Sequence, residues 1–169
     1  MKPEALERIR AVKRASQILR AGTWRATDAV DRVVLDADGR YRRRIVLTAE
    51  HGTTFLLDLP ETTALHDGDG LVRDDGTIVA VVAKPESLVE ITAANAADVI
   101  ATMARLAWHL GNRHTELQIV GDKLRMRRDH VLEEMLVGLG ASVTPIEAPF
   151  EPERGAYGHG EGGERGFHV

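Results

Sequence analysis

The chain contains no cysteine. That excludes disulfides, thiolate zinc sites, iron–sulfur clusters and cysteine nucleophiles together. A metal bound by such a chain must take imidazole, carboxylate or backbone oxygen, a donor set that suits divalent nickel, copper, zinc or cobalt. Aromatic residues are also scarce, at 4%. The core must therefore be aliphatic, and the stacking platforms of single-strand nucleic-acid binders are largely missing. No apolar run approaches the roughly 20 residues that a bilayer-spanning helix needs. The opening Met1-Lys-Pro-Glu-Ala-Leu-Glu-Arg8 lacks the apolar stretch of a signal peptide, so a cytoplasmic location and no membrane partner are expected.

Positive charge is not in excess either. The formal net charge is −4 over 169 residues, which counts against wholesale binding of a phosphate backbone. One local basic cluster, Arg40-Tyr-Arg-Arg-Arg44, reads as a solvated charged strand. Arg125, Arg127 and Arg128 raise a nucleic-acid reading that the acidic balance disfavours, and no nucleic-acid partner is expected. Catalytic motifs are lacking: Ser16, Ser87 and Ser142 stand outside any Gly-x-Ser-x-Gly elbow, and no glycine-rich phosphate cradle occurs. Glu133-Glu134 reads as a solvated helix start. The chain is not expected to be an enzyme.

What is present organises into four parts. Residues 1–14 form a polar, helix-prone N-terminal extension. Residues 15–84 alternate short apolar runs with turn signals, the pattern of a small all-β domain. There Val30–Leu35 and Arg44–Leu47 flank Asp36-Ala-Asp-Gly-Arg40, which reads as a hairpin turn. Asp67 to Asp75 superficially resembles a calcium loop but lacks its carboxylate spacing, and is read as turns. Lys84-Pro85-Glu86 is the expected linker. Residues 85–149 then give strand, helix, two strands, helix, strand. Asn95 and Asp129 are the expected helix caps, Gly111 and Gly140 the expected helix ends, and Gly121-Asp122 a tight hairpin. That β-α-β-β-α-β order is ferredoxin-like, so the fold class is α+β. Residues 150–169 are glycine-rich and expected to be a flexible tail.

Three of the seven histidines, His109, His114 and His130, fall within 22 residues of one another. Neutral imidazole is the commonest protein ligand for divalent first-row metals. His109 belongs to the last turn of the first helix and His114 lies just beyond its end. His130 opens the second helix, where the dipole favours the neutral ring. On spacing alone a surface histidine without duty is the favoured reading for His114 and an equal one for His130. His159 and His168 fall in the tail, and His51 and His66 flank turns in the β half.

The blocks His109-Leu-Gly-Asn-Arg-His114, Leu124-Arg-Met-Arg-Arg-Asp-His130-Val-Leu-Glu-Glu-Met and Phe150-Glu-Pro-Glu-Arg-Gly-Ala-Tyr157 together resemble the UreE family of urease accessory proteins. Phe55-Leu-Leu-Asp-Leu-Pro-Glu61 and Leu65-His-Asp-Gly-Asp agree, and the resemblance runs from about Arg14 to Tyr157. It implies a homodimeric nickel metallochaperone with an N-terminal β domain similar to a peptide-binding chaperone module. It implies His114 as principal ligand, one copy from each protomer, with His130, His109, His168 and His159 as auxiliaries. The cargo would be Ni(II), with Cu(II) or Zn(II) as competitors, passed to the urease apoenzyme complex through the accessory GTPase UreG. Some relatives also carry histidine two residues before the position of His130; here that position is Arg128. A binding module that grips a client peptide, with metal incidental, is the alternative.

Overall fold

The computed structural model describes residues 12–154. In the first half, β1 (Arg14–Leu19), β2 (Ala29–Leu35), β3 (Tyr41–Thr48), β4 (Thr54–Ala64), β5 (Gly70–Arg73) and β6 (Ile78–Ala83) form one curled sheet. Its order is β2-β6-β5-β1-β4-β3. Strand period two decides the faces: along β6, Val79, Val81 and Ala83 are buried and their neighbours half-exposed. Val79 and Val81 close a largely aliphatic core with Ala15, Val33, Phe55, Leu57, Leu65 and Leu71. Each fully buried large side chain there contributes roughly 1.5–3 kcal/mol.

The all-β half is as expected, but Asp36–Arg40 is not a hairpin turn. β2 pairs in parallel with β6 and β3 pairs antiparallel with β4, which puts them at opposite edges of the sheet. Val33 is buried beside the equally apolar β6 strand, and that burial outweighs the local turn signal. The two edges approach where the Glu50 N–H donates to the Arg32 carbonyl at 2.9 Å. The Asp67–Asp75 stretch does form turns, and its carboxylates are spent on protein groups. Asp69 is buried and accepts from Arg20, Ala21 N and His66 N, while Asp67 accepts from Ala83 N.

The expected linker is a strand. β7 (Pro85–Ala93) begins at Pro85, and Glu86 accepts from Ala37 N at 2.8 Å and Arg127 Nε at 3.0 Å. The proline is tolerated because it sits at the first residue of the strand, opposite Pro149. With β8 (Gln118–Val120), β9 (Lys123–Arg127) and β10 (Ala141–Pro149), β7 makes a four-stranded sheet in the order β10-β7-β9-β8. All its pairings are antiparallel, the ferredoxin-like arrangement. Helices α1 (Val99–Gly111) and α2 (His130–Gly138) bring Leu106, Leu110 and Leu136 into a core with Val89, Ile91 and Met126. Asp129 caps α2 by accepting from Leu132 N at 3.0 Å. The start of α1 is split: Asn95 caps one 3-10 turn, Ala96–Asp98, and Asp98 caps the helix proper through Ala101 N.

The stretch expected as tail begins inside the fold. Phe150 is fully buried with Ala37 and Leu88, so it joins the two halves. The Arg40 guanidinium, 3% exposed, donates to the Leu65 carbonyl at 3.0 Å and the Phe150 carbonyl at 2.5 Å. Arg154 then stacks over the Tyr41 ring at 3.9 Å. His159 and His168 lie outside the described residues, as does most of the N-terminal extension. Among the described residues, no helix is long and apolar enough to cross a membrane.

Candidate metal centre

The end of α1 defines the site. The helix does not stop on a left-handed glycine. Gly111 is still helical, and the left-handed position is occupied by His114, φ 56°, the one non-glycine residue with positive φ among those described. Two backbone bonds lock it there: His114 N–H to the Gly111 carbonyl at 2.9 Å, and Thr115 N–H to the Leu110 carbonyl at 3.1 Å. This is the Schellman pattern with histidine at the position that glycine usually fills. The Arg113 guanidinium donates to the His109 carbonyl at 3.0 Å, closing a further helix-end carbonyl. The conformation costs a residue with a Cβ about 1–2 kcal/mol, and such strain often marks functional positions.

His114 is exposed and stands between two open clefts. The first, about 430 Å³, also takes in Glu116, Arg127, Asp129 and Val131. The second takes in Tyr41, Ala107, Leu117, Ile119 and Arg154. Each cleft holds one exposed apolar side chain, Val131 (61% exposed) in the first and Ile119 (58%) in the second, and the first also carries the charged Arg113 and Arg128.

The other sequence candidates are placed apart. His109 is half-buried in the last turn of α1, its ring edge-on to Trp108 at 5.0 Å, and lines neither cleft. His130 is exposed at the first position of α2. Its neighbours Asp129 and Val131 face the cleft and it does not, as successive helical residues point in different directions. Among the described residues, no three His, Asp or Glu side chains converge on one point. Arg128 is spent on structure: it makes two bonds of 3.0 Å to Glu133, and those hydrogen bonds, aided by its charge, hold the Glu133 carboxyl below the usual range.

Sequence reading passed over Glu116 and named Arg127 only for a nucleic-acid role. Arg127 binds Glu86, Asp38 at 3.1 Å and Glu116 at 2.6 Å, and packs against the Phe150 ring. Its partners are scattered along the chain, and no local signal announces them. Arg125 likewise donates twice to Glu90, so neither cation is free for phosphate. His51 is also more constrained than its turn context suggested: its Nδ1 lies 3.0 Å from the buried Asp31 carboxylate.

Fold and site define a class: a curled β-sheet domain joined to a ferredoxin-like domain that presents one exposed imidazole from a strained helix end. Residues 7–84 match the family model described as the UreE urease accessory protein N-terminal domain, and residues 86–168 match that of its C-terminal domain. The urease accessory protein UreE of Bradyrhizobium sp. (strain ORS 278) is 51% identical over 85% of this chain and 66% of its own length. That of Beijerinckia indica is 49% identical over 85% of this chain and 80% of its own. The Rhodobacter capsulatus protein is 45% identical over 92% and 96% respectively. The chain belongs to the UreE family of urease accessory proteins. It spans about two thirds of the length of the Bradyrhizobium relatives it matches.

Proposed function

We propose that the protein is a nickel metallochaperone: it binds Ni(II) through His114 at the contact of two copies and delivers it for maturation of the urease active site. The observation that carries this reading is the position of His114, a strained, exposed imidazole between two clefts that each hold an exposed apolar side chain, Val131 and Ile119. Those side chains suit burial against a second copy, since exposed apolar patches mark interaction sites. Pairing would set two imidazoles side by side and leave coordination positions open. An ion so held can leave, whereas a closed four-ligand cage would retain it. His130, His109, His159 and His168 are auxiliaries in this account. Transfer runs through the accessory GTPase UreG to the urease apoenzyme complex, Cu(II) and Zn(II) compete with Ni(II), and the protein catalyses no reaction itself.

Native mass spectrometry with added Ni²⁺ tests the stoichiometry. The reading expects dimers carrying about one or two ions, and loss of the tighter ion with His114→Asn. Ion uptake by monomers with undiminished affinity would refute it.

A further inference from the structure

Three residues, His114, Thr115 and Glu116, line both clefts and so form the ridge between them. Glu116 is exposed, and its carboxylate is gripped on one side only. Its Oε2 accepts from Arg127 Nη1 at 2.6 Å, and that guanidinium is fixed in turn by Glu86, Asp38 and the Phe150 ring. Among the described residues, Oε1 accepts no hydrogen bond, and Arg154 Nη1 stands off from it at 3.9 Å. The other carboxylate of the first cleft, Asp129, is occupied in capping α2 through Leu132 N. That cleft also holds three guanidinium groups, Arg113, Arg127 and Arg128. Their charges repel a divalent cation, so an imidazole alone is poorly placed to hold one there.

We propose that Glu116 is a second metal ligand of each chain: its Oε1 joins the His114 imidazole on the ion, so that two copies together supply imidazole nitrogen and carboxylate oxygen in equal number. The assignment rests on the nickel reading of His114 and adds a ligand to it. Carboxylates that bind a metal are themselves usually hydrogen-bonded, and Arg127 already supplies that bond through Oε2. The carboxylate also brings negative charge to the ion, which offsets part of the repulsion from the arginines. Mixed imidazole and carboxylate donors suit divalent nickel or copper, whereas Cu(I) prefers thiolate and thioether sulfur. Because the donors are divided between two chains, parting of the copies halves the set and frees the ion, unlike a cage built by one chain.

Calorimetric titration with Ni²⁺ compares the parent, E116Q, E116A and H114N, all as full chains. Glutamine keeps an oxygen for Arg127 but gives up the charge, and alanine removes the donor. Both should weaken binding by about 100-fold, the upper end of the loss seen when a ligand's outer partner is removed. E134Q, which removes an exposed carboxylate on α2, should bind as the parent does. Cu²⁺ added as a paramagnetic reporter separates a ligand from a distant charge. In E116Q the copper hyperfine coupling should change while the nitrogen splitting from imidazole persists, and in H114N the nitrogen splitting should fade. The proposal is overturned if E116Q and E116A stay within about tenfold of the parent, if E134Q loses as much, or if the copper spectrum of E116Q matches the parent's. H114N separates the two readings: undiminished binding there refutes the nickel reading, whereas loss in H114N alone refutes only the role of Glu116.

Discussion

The Thr115 amide reaches back across the end of α1 to the Leu110 carbonyl, 3.1 Å away, and the residue trapped beneath that bond is His114. Without it the chain could leave the helix by a relaxed path. With it, a histidine is held where glycine would be most comfortable. Backbone comfort and the presence of an exposed imidazole are therefore opposed at this position.

His114→Gly should stabilise the fold by about 1 kcal/mol, since it relieves the left-handed strain while keeping both cap bonds. His114→Ala should leave stability nearly unchanged. Urea unfolding of the metal-free proteins measures both. A glycine variant less stable than the parent would show that the ring contributes packing that offsets the strain.

Phe150→Ala should cost about 3–5 kcal/mol, because a fully buried ring would be lost where the two halves meet. Arg40→Ala should cost a similar amount by leaving the Leu65 and Phe150 carbonyls without their donor. Chemical denaturation checks each. A change below about 1 kcal/mol in both would mean that this stretch is peripheral after all.

The pH dependence of the β half turns on Asp31. Burial pushes its carboxyl up, but donors from Thr53, His51 and Arg32 outweigh that and hold it well below the usual carboxylate range. A carboxyl depressed in the folded state contributes stability above its unfolded pKa of about 3.9, and that contribution fades as pH falls below it. Melting temperature should therefore drop between about pH 4 and pH 2 in the parent, and drop less in Asp31→Asn, which starts lower at neutral pH. Parallel curves for the two proteins would contradict this.

Arg128→His should add a weak metal site beside His130. The lost pair with Glu133 is surface-exposed and worth at most about 1 kcal/mol. Equilibrium dialysis against Ni²⁺ should show extra bound metal per chain, with thermal stability little altered. Unchanged stoichiometry would show that His130 faces away from any ion.

The elements themselves were legible. Leu106 and Leu110 repeat at helical spacing and are buried, Asp129 caps the helix it precedes, and Gly121-Asp122 turns β8 into β9. Pairing across the chain was not. The turn at Asp36–Arg40 looked local, yet β2 lies against β6, because burial of a shared apolar face is decided by residues some fifty positions away. The same limit hid Arg40, which reads as one more surface cation until Phe150 closes over it. At the candidate site, His114 stood out by its neighbours in sequence, but its backbone strain did not. Glycine at 111 appeared to end the helix, and three further residues were needed before the chain actually turned.

The account rests most directly on calorimetric titration of the full chain with Ni²⁺, comparing the parent with His114→Asn. Asparagine tolerates the left-handed backbone but offers no imidazole, so the fold at the helix end is preserved. Removing a primary ligand should exceed the 10–100-fold loss typical of outer-shell partners. The account predicts about one tight ion per two chains in the parent and a loss of about 100-fold or more in the variant. Equal affinity and stoichiometry in the two proteins would contradict it.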